Sequence, residues 1–455
     1  MSPNLIAELY SLYLASSGVT TDTRNIKQGN IFFALKGENF NANIFVEEAL
    51  AKGASHVVVD EISNPEWEST FGARLILVDD VLKTLQLLAG HHRAQLKCPV
   101  LAITGSNGKT TTKELIAAVL SKKFKTSATK GNLNNHIGIP LTLLSIKTDV
   151  EFAVIEMGAN HQGEIASYCE YVKPEYGLIT NVGLAHIEGF GGFEGVVKGK
   201  TELYRHVFEN DGRVFLNDDN EVLRDALVQV FLSTNKPLIG LDRLITYGKN
   251  ARWCKGKIGK SNEFLSVVIA GETIQTNLVG EYNFENVMAA ACVGIHFGVE
   301  AKQIKEAIEN YVPTNNRSQK IELGSNTIIL DAYNANPSSM LEALKNFEKL
   351  IVGENTNNGV VVLGQMMELG KYSQEEHKKI VAAVSSSSWQ YVKKVFVGKE
   401  FEFVSIVVGD NTNNGILWFE KTEEVKVWFK QQQFENCYIL IKGSRKNELE
   451  KILTD

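Results

Sequence analysis

The sequence predicts an α/β protein of three domains: a small N-terminal one, a central one whose mainly parallel sheet carries a phosphate-binding loop, and a C-terminal one with an open sheet. Three observations predict it. Short apolar runs alternate with helical patterns along most of the chain, as expected for parallel strands joined by crossover helices. One such run ends in Gly105-Ser-Asn-Gly-Lys-Thr110 and passes directly into a helical pattern. The chain of 455 residues also exceeds what one core accommodates, so length implies roughly three domains.

The first unit, residues 1–95, opens with an amphipathic segment and continues through Asn30-Ile-Phe-Phe-Ala-Leu35. A helical stretch from Ile44 to Lys52, the strand-like run His56-Val-Val-Val-Asp60 and a helix over 81–94 follow. The second unit, 96–312, starts at the apolar run Pro99-Val-Leu-Ala-Ile-Thr104. Its further strands are Phe152 to Met157, Tyr176 to Asn181 and Arg213 to Asn217, separated by helical patterns that imply a parallel sheet. Phe264 to Leu278 alternates like a hairpin, and two helical runs close the unit near Tyr311. The third unit, 313–455, reads as strand Thr327 to Leu330, helix Ser338 to Leu350 and strand Val360 to Leu363. Strands Lys394 to Val397, Ser405 to Val408 and Tyr438 to Ile441 come later, with helical stretches between. That outline is Rossmann-like, without the GxGxxG fingerprint, and the pattern does not give strand order.

Composition narrows the function. Apolar and charged fractions of 44% and 22% are those of a soluble globular protein. A net charge of −6 and a pI near 5.9 argue against nucleic acid as a partner. An anionic substrate stays open, since a phosphate site needs only a few donors. Five dispersed cysteines without a CxxC pair imply a reducing compartment, with neither a disulfide framework nor a zinc site. The N-terminus lacks the charged and apolar regions of a leader, and no run reaches membrane-span length, so the cytoplasm is the expected location.

The strongest local signal is Thr104-Gly-Ser-Asn-Gly-Lys-Thr-Thr111. Backbone N–H groups at a strand-to-helix glycine turn cradle phosphate, Lys109 reaches the β/γ-phosphates and the Thr110 hydroxyl ligates Mg²⁺. The usual loop has a glycine five residues before Gly108, and here that position is Ile103. This variant form argues against a nucleotide switch. Glu156 ends the apolar strand Phe152-Ala-Val-Ile-Glu156, where ligands bind in parallel sheets, and a carboxylate there suits a hard cation. His186 follows the next strand in Thr180-Asn-Val-Gly-Leu-Ala-His186; a lone histidine at a strand edge is as readily structural as functional. In the helical segment Glu194 to Glu209, Lys200 falls on the same stripe as Val196, Leu203, Tyr204 and Val207, with Lys198 opposite. An inward lysine is costly unless it is paired, modified or able to snorkel to solvent.

Together these motifs resemble the Mur ligase family of peptidoglycan synthesis over nearly the whole chain. The residues that carry the resemblance are Gly105 to Thr112, Asn134 to Pro140, Glu156 to Asn160, Thr180 to Gly191, Asp331-Ala-Tyr-Asn-Ala-Asn-Pro337 and Lys442-Gly-Ser-Arg445. The Asp331 segment is similar to the branch that joins D-alanyl-D-alanine to UDP-N-acetylmuramoyl-tripeptide through an acyl phosphate. The resemblance implies ATP as the phosphoryl donor, bound by Thr104, Gly105, Ser106, Asn107, Gly108, Lys109, Thr110 and Thr111. Asn286 would lie near the adenine, Asp331 near the ribose and Arg317 near the γ-phosphate. Two Mg²⁺ ions are implied among Thr110, Glu156, His186 and Lys200, the lysine as a carbamate formed with CO₂. Lys109, His186, Lys200 and Arg317 make up the catalytic set. Asp22, Thr23 and Arg24, in Thr21-Asp-Thr-Arg24, resemble the UDP-sugar signature of the first domain. Asn134, Asn135, Asn334 and Asn336 are the expected contacts to the peptide substrates. A monomer is expected.

Three positions depart from the family pattern: Tyr282 for a common His, Asn41-Ala-Asn43 for Asp-Gly-His, and Gln365 for Asp. Another amino-acid-adding Mur-type ligase or a folylpolyglutamate synthetase would share the phosphate loop but lack the Asp331 segment. A phosphotransferase would leave Lys200 unexplained, and a non-catalytic homologue would have lost Lys109, Glu156, His186 or Lys200. The sequence leaves open whether the tripeptide ends in diaminopimelate or lysine.

Overall fold

The computed structural model describes residues 3–233, 243–260, 264–314, 316–353, 358–404 and 415–454. The strand expected at Ser405 to Val408 lies outside them. The first sheet holds four parallel strands in the order Val19–Thr20, Ile31–Phe33, His56–Val59, Leu75–Leu77. The helix expected from Ile44 to Lys52 is a 3₁₀ turn, Ala42–Phe45, running into the helix Val46–Ala51.

The helix Val81–Gln95, capped by Asp80 Oδ1 on Lys83 N, joins the first domain to the second. Arg93 donates to Val172 O at 2.9 Å and pairs with Glu175 at 2.6 Å, while Glu175 also accepts from Val100 N. A Cβ at Gly90 would stand 3.1 Å from that of Tyr171, so glycine lets the two helices touch closely.

The central sheet has nine strands. Thr126–Ala128, Phe152–Glu156, Val100–Thr104, Tyr176–Ile179, Arg213–Asn217, Leu244–Gly248 and Cys254–Ile258 run parallel in that spatial order. The hairpin Phe264–Ile269 and Glu272–Val279 adds two antiparallel strands at one edge. From Val100–Thr104 the chain winds first to one side and then to the other. The end of that strand is therefore a topological switch point, where such sheets open a crevice for ligands.

The C-terminal sheet has six strands, in the order Gln319–Leu323, Asn326–Asp331, Tyr438–Lys442, Gly359–Gly364, Val392–Val397, Ile416–Phe419. All neighbours are parallel except the first pair. Among the described residues no helix is long and apolar enough to cross a membrane. The five cysteines are unpaired and buried.

His377 is fully buried in this last domain. Its Nε2 accepts from Met366 N at 2.9 Å, so Nδ1 carries the proton and donates to Ser373 O at 2.7 Å. Burial holds the ring below its ordinary value of 6.5, outweighing the nearby carboxylates of Glu400 and Glu376. As pH falls below 6.5 the unfolded chain takes up a proton before the folded one does, so stability must fall. Thermal melts from neutral pH to about pH 5 should show this loss, and His377→Gln, which cannot charge, should flatten it.

Candidate active site

The phosphate loop is held by the neighbouring strand's exit. Ser106 N donates to Asn181 O and Asn107 N to Asn181 Oδ1, while Thr180 Oγ1 donates to Asn107 O at 2.6 Å. Gly105 (φ +145°) and Gly108 (φ +76°) are required: a Cβ would meet Thr180 Oγ1 at 1.9 Å and Asn286 Oδ1 at 2.5 Å respectively. The helix Lys109–Leu120 starts without a side-chain cap, and its positive end faces a cleft of about 720 Å³. Lys109 Nζ bends back to Gly105 O (2.6 Å) and Ser106 O (3.1 Å). Burial brings its pKa down to about 8; Glu156 opposes this fall and Arg317 adds to it.

Glu156 is 1% exposed at the end of its strand. Its Oε1 accepts from Asn134 Nδ2 at 2.8 Å and from the Thr110 hydroxyl at 3.2 Å. Its Oε2 is buried without a hydrogen bond, 3.5 Å from Lys113 Nζ. Among the described residues no group of three or more His, Cys, Asp or Glu converges as a metal cluster. Even so, the orphaned carboxylate oxygen beside a threonine hydroxyl fits Mg²⁺, which takes few protein ligands and completes its shell with water and phosphate oxygens. His186 has a left-handed backbone (φ 54°), and its Nδ1 abuts the Glu368 carboxylate of the C-terminal domain.

The helix around Lys200 spans Phe193–Glu209 and buries Val196, Leu203, Tyr204 and Val207, each worth roughly 1.5–3 kcal/mol. Lys200 is buried on that face at 1% exposure, whereas Lys198 is exposed. Lys200 Nζ donates to Ala159 O at 3.1 Å and stands 5.0 Å from the Phe190 ring centroid. It therefore lies behind the cleft wall, to which Ala159 contributes. Burial, and then the charge of Lys109, push its pKa well below the ordinary lysine range.

The C-terminal domain supplies the opposite wall. Arg317 sits between two left-handed residues, Asn316 (φ 57°) and Ser318 (φ 46°), and stacks on Tyr333 with its Cζ 3.7 Å from the ring centroid. Its Nε is buried without a partner. Asp331 is held by Lys442 Nζ at 2.5 Å and by Ser318 N at 3.2 Å. Asn336 caps the helix Pro337–Gly353, accepting from Ser339 N, and donates to Asn107 Oδ1 of the phosphate loop at 2.7 Å. Ser338 Oγ accepts from Leu184 N. The last domain thus docks directly on the loop.

Most sequence-predicted positions meet here. Ser106 to Thr111, Asn134, Asn135, Glu156, His186, Asn286, Arg317, Asp331 and Asn334 line the cleft. Asn286 accepts from Thr112 Oγ1, and Asn135 Oδ1 accepts from Gly138 N, the first residue of the helix Gly138–Ser145. Thr104 is wholly buried beneath the loop, and Asn336 is 4% exposed with its amide occupied as above. Asp22, Thr23 and Arg24 lie outside the cleft, Arg24 forked onto Asp22 at 2.8 and 2.9 Å. Tyr282 bonds Ser318 Oγ, Asn43 bridges Asn41 and Asp60, and Gln365 Oε1 accepts from Glu400 N. Lys113, 2% exposed, was missed by the sequence reading, and Lys442, also 2% exposed, entered it only as part of the Lys442 to Arg445 motif, without a role of its own.

Comparison with known proteins agrees with this geometry. Residues 16–93 match the Mur ligase family catalytic domain, 103–294 the Mur ligase middle domain, and 316–444 the Mur ligase glutamate ligase domain. The UDP-N-acetylmuramoyl-tripeptide–D-alanyl-D-alanine ligase of Bacillus subtilis is 33% identical, covering 96% of this chain and 92% of the relative. The ligase of that name from Escherichia coli is also 33% identical, covering 99% and 95%. A crystal structure of MurF from Acinetobacter baumannii superposes with a TM-score of 0.80 at 27% identity, covering 98% of this chain and 97% of that one. The chain belongs to the Mur ligase family.

Proposed function

We propose that this chain is an ATP-dependent ligase that joins D-alanyl-D-alanine to UDP-N-acetylmuramoyl-tripeptide, giving the pentapeptide precursor of peptidoglycan. The observation that carries the reading is the cleft in which the phosphate loop faces Arg317 and the Asp331 to Pro337 segment across two domains. Residues 1–95 would hold the UDP-sugar through Asp22, Thr23 and Arg24. Residues 96–312 would hold ATP, and residues 313–455 would complete the site. The chain would act as a monomer in the cytoplasm.

A carboxylate is a poor acyl donor, so the tripeptide's terminal carboxylate first attacks the γ-phosphorus and ADP leaves. Lys109 would swing from the Gly105 and Ser106 carbonyls to the β/γ-phosphates, and Arg317, held on Tyr333, would meet the γ-phosphate from the other wall. Asn286 and Asp331 would place the nucleoside. Thr110, Glu156 and His186 would hold Mg²⁺, which supplies positive charge that offsets repulsion between the two anions. The neutral Lys200 amine would combine with CO₂, losing a proton, to give an anionic oxygen donor toward the metal. The dipeptide amine, guided by Asn134, Asn135 and Asn334, then attacks the acyl carbon with loss of a proton, and phosphate departs from the tetrahedral intermediate. The Asn336–Asn107 and Ser338–Leu184 contacts hold the walls together and keep water from the acyl phosphate.

Phosphate release by the purified protein should require both UDP-N-acetylmuramoyl-tripeptide and an amine, and should be strongest with D-alanyl-D-alanine. Turnover with single amino acids but not with the dipeptide would move the assignment to a sister ligase.

A further inference from the structure

Lys113 is a buried cation close behind the cleft to which the mechanism above gives no part. One helical turn after Lys109, it shares that residue's face of the helix. It is 2% exposed, with Nζ 3.5 Å from Glu156 Oε2 and 3.8 Å from Glu114 Oε1. Glu114 is held elsewhere, accepting from the Tyr311 hydroxyl at 2.7 Å. Oε1 of Glu156 is hydrogen-bonded by Asn134 and Thr110, whereas Oε2 has no hydrogen bond and faces the ammonium at 3.5 Å. A carboxylate at 1% exposure is costly without a counter-charge.

We propose that Lys113 is the resident counter-cation of Glu156, holding the carboxylate in place in the empty site and opposing divalent-metal binding until nucleotide phosphates arrive. The proposal rests on the metal–nucleotide reading given above. The physical argument is one of charge. A dication bound at Glu156 Oε2 would come within a few ångström of the Lys113 ammonium, which stands 3.5 Å from that oxygen. A dication entering alone meets that ammonium's repulsion, whereas one entering with a triphosphate brings negative charge that offsets it. Lys113 is thus a positioning residue, acting through Glu156 and not on substrate.

The test uses Mn²⁺ as a paramagnetic probe, read by electron paramagnetic resonance, on the full-length protein with and without a non-hydrolysable ATP analogue. Wild-type protein should take up Mn²⁺ tightly only with the analogue. In nucleotide-free protein, Lys113→Met should tighten Mn²⁺ binding by about tenfold or more, since it removes one charge a few ångström from the ion. Lys113→Arg should resemble wild type. Without metal, Lys113→Met should melt below wild type and recover on adding Mn²⁺. The double variant Lys113→Met, Glu156→Gln should melt above the single one and bind no Mn²⁺.

Equal nucleotide-free Mn²⁺ affinity in Lys113→Met and wild type would overturn the proposal. A double variant melting as low as the single one would also overturn it, since the lysine would then serve packing. A wild type that takes up no Mn²⁺ even with the analogue would sink the metal–nucleotide reading itself, a distinguishable failure.

Discussion

Lys200→Ala should be nearly inactive, with phosphate release down by about 10²–10³-fold, and formate or acetate should restore part of it. The side chain is 1% exposed, bonded to a single carbonyl and pressed against Phe190. As an ammonium ion it would add positive charge next to a site that must receive a cation. Its pKa, pushed well down by burial and by Lys109, supplies the neutral amine that CO₂ requires. A carbamate formed there offers a hard oxygen donor on a long arm, and a small carboxylate diffusing into the space left by alanine can stand in for it. Folding should not suffer greatly, because replacing a buried amine with an apolar side chain removes a desolvation cost along with the packing. Lys198→Ala, on the exposed face of the same helix, should behave like wild type. Normal activity of Lys200→Ala in CO₂-depleted buffer would end the carbamate idea.

What was legible in the sequence was what repeats locally. The stripe of Val196, Lys200, Leu203 and Val207 is a short-range pattern, and the structure buries all four. Strand, glycine turn and helix around Gly105 and Gly108 are likewise adjacent in the chain. Contacts set by the third dimension were not legible. Lys113 followed by Glu114 reads as a solvated pair; only the parallel placement of Phe152–Glu156 beside Val100–Thr104 brings Glu156 to within 3.5 Å of Lys113. Nothing local says that the Asn336 amide meets Asn107 across a domain boundary. Several strands escaped for composition. Cys254-Lys-Gly-Lys-Ile258 and Gln319-Lys-Ile-Glu-Leu323 alternate with charged residues, and Gln319–Leu323 lies at a sheet edge where polar side chains suit the position. Strand order required loop closures that no window of sequence contains.

Lys109→Ala should separate catalysis from folding. The ammonium donates to Gly105 O and Ser106 O, and losing such bonds costs about 0.5–1.5 kcal/mol each. The loop's shape is fixed without it, by Asn181, Thr180 and the two glycines. Burial has lowered its pKa to about 8, so keeping the charge there carries a desolvation cost that its removal relieves. The transition state is different. Charge moves onto the transferring phosphoryl oxygens, and a positioned cation there is worth about 2.7–4 kcal/mol, or 10²–10³ in kcat. Phosphate release by Lys109→Ala should fall by that factor while its melting temperature stays within a few degrees of wild type. A melting temperature that collapses along with the activity would make Lys109 a structural pin of the loop instead. Lys109→Arg makes the test sharper. It keeps the charge but not the compact ammonium, so it should fold like wild type and recover only part of the rate.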